Sequence, residues 1–460
     1  MATKSSDVKP EPVSISPLLN RLAYPATAEI PVSAEEIASA FALIFDDRLS
    51  VIQTAALLTL LHSTGMDRQA DVIAKCSERM REAASQTDKA ALKKALKARA
   101  KPEGTYRGGV VRNKNDIAVL LCCQLTLTSP FFFSLQCDIV GTGGDSHSTF
   151  NVSTTASILA SPLLIMAKHG NRAQTSLSGA ADLLNAVTPV SPKISAINAF
   201  NLPRVYEATN YAFLFAPNFH PGMMYANPVR RGLGLRTIFN LMGPLANPID
   251  WALEVRMVGV AYQSLGPVFA EALRQSGSSK ALVVCGEEDM DEISCAGKTN
   301  CWRLSELPNN TVVRPGDYSD ETSEDDVRPL ARLDTFQLHP SDFGLPTHPL
   351  TEVYGRKTPK ENAAKLMSIL RNELRRDDPI LDFVIMNVAA LLTISGVCEA
   401  DSSDMGPGDD GKVIKERGPG GGRWKEGVRR ARWALESGRA LETFQQFIEV
   451  TRKLDQEAAQ

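Results

Sequence analysis

Three glycines flanked by polar residues are the part of this sequence that points most directly to chemistry. GTGGD at 141–145 follows the short apolar run 138–140, and a hydroxyl-rich stretch comes next. Glycines after a strand permit positive φ angles and let backbone N–H groups approach an anion that a side chain would keep away. Asn151, Ser153 and Thr154 add donors where the positive end of a following helix is expected. The stretch predicts either a tight turn or a phosphate-binding loop.

A second polar cluster follows the next apolar run, 163–167. KHGNR at 168–172 brings two cations, an imidazole and an amide together, and residues 173–179 continue with hydroxyl side chains and a glycine. Such cations bind phosphate oxygens through charge-assisted hydrogen bonds. Alone, the cluster could be a solvated turn. Together with the glycine run, it predicts the other wall of a polyphosphate pocket.

Five carboxylates stand within the six residues 287–292, after the apolar run that ends at Cys285. A charge run of this kind is commonly a solvated turn. Beside a phosphate site, Mg²⁺ is typically held by one or two carboxylates together with substrate phosphates. The sequence leaves both interpretations open. Farther upstream, Arg230 lies in a segment rich in proline and glycine, where it could clamp a ligand carboxylate or lie at the surface.

The apolar periodicity divides the chain into regions that would position these motifs. Residues 1–13 are predicted to be a disordered tail, and 14–100 an all-helical domain suited to dimerisation, with a capping box at Ser33 and Glu36. Residues 101–136 form a connection. From 137 to 460, strands are predicted at 138–140, 163–167, 211–216, 254–260 and 280–285, alternating with helical stretches. This alternation indicates an α/β domain with a central, mostly parallel sheet.

Two stretches of the α/β region fit neither strands nor helices. Residues 309–349 are rich in acids and prolines and are interpreted as a long surface loop insertion. Residues 401–422 are rich in glycine, proline and charge, and are predicted to be loop or disorder.

The composition bounds the class of function. The chain has 460 residues, 43% of them hydrophobic, and a formal net charge of -3, which offers no electrostatic footprint for nucleic acid or an anionic membrane. It has no apolar run long enough to span a membrane and no targeting segment, so a cytoplasmic enzyme is expected. The eight cysteines lack the spacing of a zinc or redox motif. Any metal should therefore be a hard cation with oxygen ligands.

Taken together, the motifs resemble the anthranilate phosphoribosyltransferase family. The matching segments are GTGGD at 141–145, NVST at 151–154, KHGNR at 168–172, the run at 228–248 and DEIS at 291–294, in the same order and spacing. The resemblance implies a homodimer of two-domain subunits, each with a small helical domain against a larger α/β domain of the nucleoside phosphorylase and phosphoribosyltransferase type. The implied reaction joins anthranilate to the phosphoribosyl group of phosphoribosyl pyrophosphate, releases pyrophosphate, and belongs to tryptophan biosynthesis.

The resemblance also implies roles for individual residues. The expected substrate-binding residues are Gly141, Gly144, Asp145, Thr149, Asn151, Val152, Ser153, Thr154, Lys168, His169, Gly170, Asn171, Arg172, Ala173, Gln174, Thr175, Ser176, Ala180 and Arg230. Within this set, Gly141, Asn171 and Arg230 are expected to position anthranilate. The expected Mg²⁺ ligands are Ser153, Asp291 and Glu292. The expected catalytic residues are Lys168, His169, Asn171 and Arg230, with His169 or a water molecule accepting a proton.

One position departs from the family pattern. Ala180 stands where the family usually has a serine that helps to bind phosphate. Thr175 and Ser176 offer nearby hydroxyl groups that could compensate. The expected consequence is, at most, weaker binding of phosphoribosyl pyrophosphate.

Residues 110–136 interrupt the match, because the family needs only a short connection between Gly109 and Cys137. One interpretation is an added hairpin or helix around 117–121. The other, which we favour, is a translated intron: valine codons begin with GT, and PFFFSLQ at 130–136 can be encoded by a pyrimidine-rich tract that ends in CAG. Joining Gly109 to Cys137 would restore the family spacing.

Two other functions compete with this interpretation. A pyrimidine-nucleoside phosphorylase-like enzyme would share the fold and the ribose chemistry, but its glycine motif begins with lysine and histidine, whereas residues 138–140 here are Asp-Ile-Val. A non-catalytic relative that binds nucleic acid should have a basic groove and eroded motifs. The net charge and the nearly complete motifs argue against it.

Overall fold

The computed structural model describes residues 11–25, 30–99, 136–145, 147, 149–173, 178–306, 331–354 and 358–460. Five helices in these ranges precede the first strand: α1 (Ser16–Ala23), α2 (Ala34–Phe45), α3 (Val51–Ser63), α4 (Ala70–Glu82) and α5 (Lys89–Arg99). The later helices are α6 (Val152–Ala160), α7 (Ala180–Asn185), α8 (Leu202–Ala208), α9 (Ala216–Phe219), α10 (Met223–Leu233), α11 (Ile238–Met242), α12 (Leu265–Gln275), α13 (Leu350–Val353), α14 (Pro359–Leu370), α15 (Pro379–Ser395), α16 (Trp424–Glu436) and α17 (Arg439–Ala458).

The described strands form one sheet in the order β3-β2-β1-β4-β5-β6-β7. They are β1 (Gln136–Gly141), β2 (Ile165–Gly170), β3 (Tyr211–Phe215), β4 (Leu253–Gly259), β5 (Lys280–Gly286), β6 (Thr299–Glu306) and β7 (Ala331–Leu338). Strands β1 to β5 pair in parallel, whereas β6 and β7 add antiparallel at one edge. The predicted fold class, a helical domain plus an α/β domain with a mostly parallel sheet, is confirmed.

The strand predictions need three corrections. Strand β6 was not predicted, because its residues TNCWRLSE contain no continuous apolar run. Strand β2 continues through Gly170 instead of ending at residue 167, because Lys168 and His169 are buried and paired with β3 despite their polarity. Strand β7 lies inside the stretch 309–349 that was interpreted as a surface loop. Its residues alternate between polar and apolar at an edge of the sheet, so the sequence has no continuous apolar run that would predict a strand here.

The core of the helical domain contains more of the chain than predicted. Apolar residues of α1 to α4 pack in one cluster, and the cluster also takes in Val229 of α10 and Ile238, Phe239 and Met242 of α11. The predicted capping box at the start of α2 is confirmed, with Glu36 N–H donating to Ser33 Oγ at 3.2 Å. The helical domain is therefore assembled from two separate parts of the chain.

The boundary predicted at residue 100 is also wrong, because α5 belongs to the α/β domain. Leu92 and Leu96 are buried in the large core cluster of that domain, together with Tyr206 of α8. Arg99 Nε donates to Asn210 Oδ1 at 2.9 Å. The helical domain thus ends after α4 on this side.

The prediction of loop or disorder for 401–422 is right about the loop and wrong about disorder. Asp409 accepts hydrogen bonds from Ser403 Oγ at 2.6 Å, Met405 N–H at 2.8 Å and Arg429 Nη1 at 2.8 Å. Trp433 Nε1 donates to Pro407 O at 3.1 Å. The charged and small residues of this segment are ordered because α16 supplies their partners.

Most of the predicted tail and insert lies outside the described residues. Of 1–13, the described end contributes Val13, whose N–H donates to Arg48 O at 2.9 Å. Of 110–136, Gln136 alone is described. It is the first residue of β1 and is fully buried, and among the described residues neither of its amide atoms has a hydrogen-bond partner.

A variant that lacks residues 110–136 and joins Gly109 to Cys137 is expected to fold and to melt no lower than the full chain. The reason is that an unpaired buried amide such as that of Gln136 costs about 1–3 kcal/mol. Thermal unfolding followed by circular dichroism measures the effect, and a variant lacking only 110–135 isolates the contribution of Gln136. An insoluble deletion variant, or a mature transcript that contains these codons, would contradict the intron interpretation.

Candidate active site

A cavity of about 510 Å³ lies where the carboxyl ends of the central strands meet the helical domain. The α/β domain lines it with residues of the glycine loop after β1, the end of β2 and the acidic turn after β5. The helical side contributes residues from the end of α4 and from α10 and α11, among them Met80, Arg230 and Phe239. The two motif clusters and the acidic run therefore converge on one cavity.

The glycine loop packs directly on the acidic turn. Gly143 N–H donates to Asp291 Oδ2 at 2.6 Å. A Cβ at Gly141 would overlap the same carboxylate, and a Cβ at Gly259 on β4 would overlap the Asp291 backbone. Gly143 and Gly144 have φ angles of 64° and 83°, which glycine adopts without strain. These glycines permit a close approach of the Asp291 carboxylate, and their approach to a phosphate stays a prediction.

The hydroxyl-rich segment that follows divides between the cavity and the interior. Asn151 caps α6 by accepting a hydrogen bond from Thr154 N–H at 3.3 Å, and Thr149 bridges to Tyr354. Thr149, Asn151 and Ser153 line the cavity. The side chains of Val152 and Thr154 are fully buried, and neither residue lines the cavity.

Lys168 lies at the floor of the cavity and is only 2% exposed. Its Nζ donates to His169 O at 3.2 Å. Burial lowers the pKa of Lys168, while the nearby carboxylates of Asp138, Asp291 and Glu292 raise it. The carboxylates thus favour the charged form of a lysine that burial alone would disfavour.

Asp138 and Asn247 form hydrogen bonds with the backbone of β2 next to Lys168 and His169. Neither was predicted as a site residue. Asp138 accepts hydrogen bonds from His169 N–H at 3.4 Å and from Asn247 Nδ2 at 3.0 Å. Asn247 Nδ2 also donates to Ala167 O at 2.9 Å. Asp138 lies in the apolar run just before the glycines. An acidic residue inside a predicted strand was the signal that could have identified it as a site residue.

His169 is held in its neutral form. Burial, followed by the neighbouring His220, lowers its pKa well below the usual value, and the two imidazole rings lie 5.3 Å apart. Burial also lowers the pKa of His220 to about 4. His169 Nδ1 is 3.4 Å from the carbonyl oxygen of Gly243, and within the described part of the chain its buried Nε2 has no partner. Nδ1 is therefore the protonated nitrogen, and Nε2 can accept a proton.

Asp182 binds two described backbone groups that follow β2. Asp182 Oδ2 accepts hydrogen bonds from Ala173 N–H at 2.8 Å and Gly179 N–H at 3.1 Å. The cavity lining includes the predicted residues Gly170, Asn171, Arg172, Ala173 and Ala180. The predicted residues Gln174, Thr175 and Ser176 lie outside the described residues. Asp182 was missed, although its position at the third residue of α7 is typical of a capping acid.

Three carboxylates face one another at the rim of the cavity. One oxygen from each of Asp145, Asp291 and Glu292 lies within 4.8 Å of the others. Burial and the Asp145 charge raise the pKa of Asp291 to about 7, and burial with Asp291 raises that of Glu292. A hard divalent cation would relieve this repulsion, so the donor set fits Mg²⁺. Asp145, predicted only to bind substrate, joins the two predicted ligands here, and Ser153 lines the same cavity.

Two arginines reach the cavity from the helical side. The guanidinium of Arg230 lies 5.1 Å from the ring centre of Phe239, and burial lowers its pKa. Arg236 also lines the cavity and donates from Nη2 to Gly143 O at 3.0 Å. Arg236 was not predicted, although it belongs to the matched run 228–248.

Comparison with known proteins places this geometry in a family. Residues 134–441 match the profile described as "Glycosyl transferase family, a/b domain", and residues 17–84 match "Glycosyl transferase family, helical bundle domain". The anthranilate phosphoribosyltransferase of Schizosaccharomyces pombe is 38% identical over 335 residues, which span 72% of this chain and 77% of that protein. The Saccharomyces cerevisiae enzyme is 35% identical over 321 residues, 68% of this chain and 71% of that protein. The chain belongs to the anthranilate phosphoribosyltransferase family.

A solved structure supports the assignment to the anthranilate phosphoribosyltransferase family. The S. cerevisiae enzyme in complex with PRPP and Mg matches with a TM-score of 0.70 and 27% identity, covering 96% of this chain and 99% of that chain. The resemblance inferred from the motifs is thereby confirmed, and it is favoured over the nucleoside phosphorylase-like and nucleic-acid-binding alternatives. Among the described helices, none is both long and apolar enough to cross a membrane.

An Asp291→Asn substitution is expected to weaken divalent-cation binding by about tenfold or more, because it removes a charged oxygen ligand from the carboxylate cluster. Mn²⁺, which electron paramagnetic resonance detects directly, is the probe. Glu287→Gln is the matched control, because Glu287 belongs to the same acidic run but is exposed and outside the cluster. Equal Mn²⁺ affinities for wild type and Asp291→Asn would contradict the assignment.

Proposed function

We propose that this protein transfers the phosphoribosyl group of phosphoribosyl pyrophosphate to the amine of anthranilate, with Mg²⁺ as cofactor. The observation that carries the proposal is the meeting of three elements in one cavity: the carboxylates of Asp145, Asp291 and Glu292, the buried ammonium of Lys168 and the glycine loop. A cation site beside anion-binding groups suits a magnesium pyrophosphate. PRPP and Mg are also the molecules named for the solved S. cerevisiae relative.

The three carboxylates would hold Mg²⁺, with Ser153 close by. When bound, Mg²⁺ would neutralise phosphate oxygens and stabilise the leaving pyrophosphate. The glycine loop would donate backbone N–H groups to the same oxygens. Thr149, Asn151 and the residues from Gly170 to Ala173 would surround the rest of phosphoribosyl pyrophosphate.

The reaction is a displacement at the anomeric carbon of the ribose. The amine nitrogen of anthranilate forms the new bond to this carbon with its lone pair, and the bond to pyrophosphate breaks with the electron pair leaving on its oxygen. Negative charge grows on pyrophosphate as the bond breaks. The buried ammonium of Lys168 therefore holds the transition state more tightly than the ground state, which is the condition for rate enhancement.

The aromatic amine must lose a proton after attack. His169 Nε2, the unprotonated nitrogen, or a water molecule would accept it. Burial keeps this imidazole neutral and also lowers its pKa, so His169 would act as a weak base. Anthranilate would lie between the two domains. Arg230 on the helical side would bind its carboxylate, and Asn171 and Gly141 on the α/β side would orient its ring. The remaining catalytic contribution is positioning of the two substrates.

The test is to incubate purified protein with anthranilate, phosphoribosyl pyrophosphate and Mg²⁺ and to follow the loss of anthranilate fluorescence. The loss is expected to require Mg²⁺ and to stop with EDTA. A Lys168→Met variant is expected to reduce kcat/KM by about 100-fold, because it removes a charge that strengthens its hold in the transition state. Lys193→Met, at an exposed lysine outside the cavity, is the matched control.

Two outcomes would contradict the proposed function. The absence of Mg²⁺-dependent loss of fluorescence would contradict the transfer to anthranilate. Phosphate-dependent cleavage of a pyrimidine nucleoside in its place would favour the phosphorylase alternative.

We also propose that two copies form a homodimer through the helical domain. The support is α3, which is apolar around most of its circumference, as expected for a helix buried on several sides. Val51 and Ile52 at its start are nevertheless 67% and 80% exposed in the single chain. A second copy would cover this apolar surface.

An Ile52→Glu variant is expected to shift the protein from dimer to monomer, because a buried unpaired carboxylate opposes association. Size-exclusion chromatography with light scattering measures the mass at several concentrations. Phe200→Glu is the control, because Phe200 is 92% exposed on the α/β domain. A wild-type protein that is monomeric throughout, or an Ile52→Glu variant that stays dimeric, would count against this interface.

A cytoplasmic location is the remaining part of the proposal. Its support is the state of the cysteines: Cys76, Cys137, Cys285, Cys295, Cys301 and Cys398 are all free and buried. Burial also raises the thiol pKa at each of these positions. Unpaired, unreactive thiols suit a reducing compartment.

A further inference from the structure

Arg236 reaches from the segment between α10 and α11 onto the glycine loop. Its Nη2 donates to the carbonyl oxygen of Gly143 at 3.0 Å. Its guanidinium also lies so close to Gly144 that a Cβ at that position would overlap it. Arg236 is half-buried and lines the cavity beside the loop. The contact joins an arginine of the helical side to the loop of the α/β domain.

Gly143, which Arg236 binds at its carbonyl oxygen, is also bound by a carboxylate at its N–H. Gly143 N–H donates to Asp291 Oδ2 at 2.6 Å, while Gly143 C=O accepts from Arg236. The two backbone groups of one residue are thus bound by side chains of opposite charge. Neither group can rotate without losing a charge-assisted hydrogen bond.

The peptide between Gly143 and Gly144 is the part of the loop that these bonds orient. A trans peptide is planar, so a carbonyl that points at Arg236 sends the Gly144 N–H to the opposite side. Both flanking residues are glycines with positive φ angles, and no Cβ opposes a half-turn of the peptide plane between them. After such a turn, a carbonyl oxygen would replace the N–H donor, and it would repel a phosphate oxygen.

We propose that Arg236 is a positioning residue that fixes the Gly143–Gly144 peptide with its N–H available to the diphosphate of phosphoribosyl pyrophosphate. The inference rests on the proposed function. The neighbours of Arg236 hold it in place, because Thr237 caps α11 and its N–H donates to Asn240 Oδ1 at 3.0 Å. Ile238 and Phe239 are buried in the core of the helical domain. The packing of the helical domain therefore sets the conformation of the loop.

The experiment compares steady-state kinetics of Arg236→Met, Arg236→Lys and Arg231→Met with those of the wild type. Arg236→Met is expected to raise the KM for phosphoribosyl pyrophosphate by about tenfold or more, since it loses a charge-assisted hydrogen bond. The KM for anthranilate should change by less than about twofold. Arg236→Lys keeps a donor that can reach Gly143 and should recover most of the loss. Arg231 is exposed and outside the cavity lining, so Arg231→Met should match the wild type.

Raising the salt concentration separates this role from direct attraction of the phosphates. If Arg236 acts through its bond to the loop, the ratio of the variant's KM for phosphoribosyl pyrophosphate to that of the wild type does not change with salt. If Arg236 attracts the phosphates directly, salt screens the attraction and this ratio falls. If Arg236→Met does not fold, Arg236→Gln, whose side chain is too short to reach Gly143, replaces it.

Three results would overturn the inference: an unchanged KM for phosphoribosyl pyrophosphate, an equal rise of both KM values without recovery by lysine, or a KM ratio that falls with salt. An active wild type combined with any of these would overturn this role of Arg236 alone. An inactive wild type would overturn the proposed function as well.

Discussion

Repulsion among three half-buried carboxylates is the constraint on which the rest of the site depends. One carboxylate oxygen from each of Asp145, Asp291 and Glu292 lies within 4.8 Å of the others, and burial raises the pKa of Asp291 and of Glu292. Such an arrangement persists only if cations and N–H donors surround it. The ammonium of Lys168 and the N–H of Gly143 stand at the required places. The glycine loop and the buried lysine therefore both offset the repulsion among the three carboxylates.

Much of this arrangement was predictable because the chemistry is local in sequence. GTGGD and the acidic run stand at the ends of β1 and β5, KHGNR covers the end of β2, and parallel strands bring their carboxyl ends to one edge. What could not be predicted depends on contacts between distant segments. Asp182 acts by binding the N–H groups of Ala173 and Gly179, Asn247 acts through Asp138, and Asp145 meets the other two carboxylates because the glycine loop packs on the turn after β5. Sequence periodicity does not identify a polar residue whose partner lies far away along the chain.

The errors in secondary structure have a related physical origin. Lys168 and His169 are polar residues inside a strand, and β7 is a half-polar strand at an edge. Continuous apolar runs mark strands that are buried on both faces, so they shorten the first and overlook the second, although the alternation in β7 is itself a strand signal. The segment 401–422 shows the converse. Its composition resembles a disordered chain, but Asp409 binds Ser403 and Met405 within the segment and pairs with Arg429 of α16.

The discontinuous core of the helical domain has a consequence for how the chain acquires its structure. Phe41 and Phe45 on α2 pack against Phe239, whose ring centre is 4.7 Å from that of Phe41, although nearly two hundred residues separate them. During synthesis, the first four helices leave the ribosome long before α11 exists to cover these rings. The amino-terminal bundle therefore cannot complete its core as an independent unit, in contrast to the usual domain-by-domain order. Such long-range contacts also slow folding, so the nascent chain has an extended interval in which its aromatic surface is open to chaperones or to aggregation.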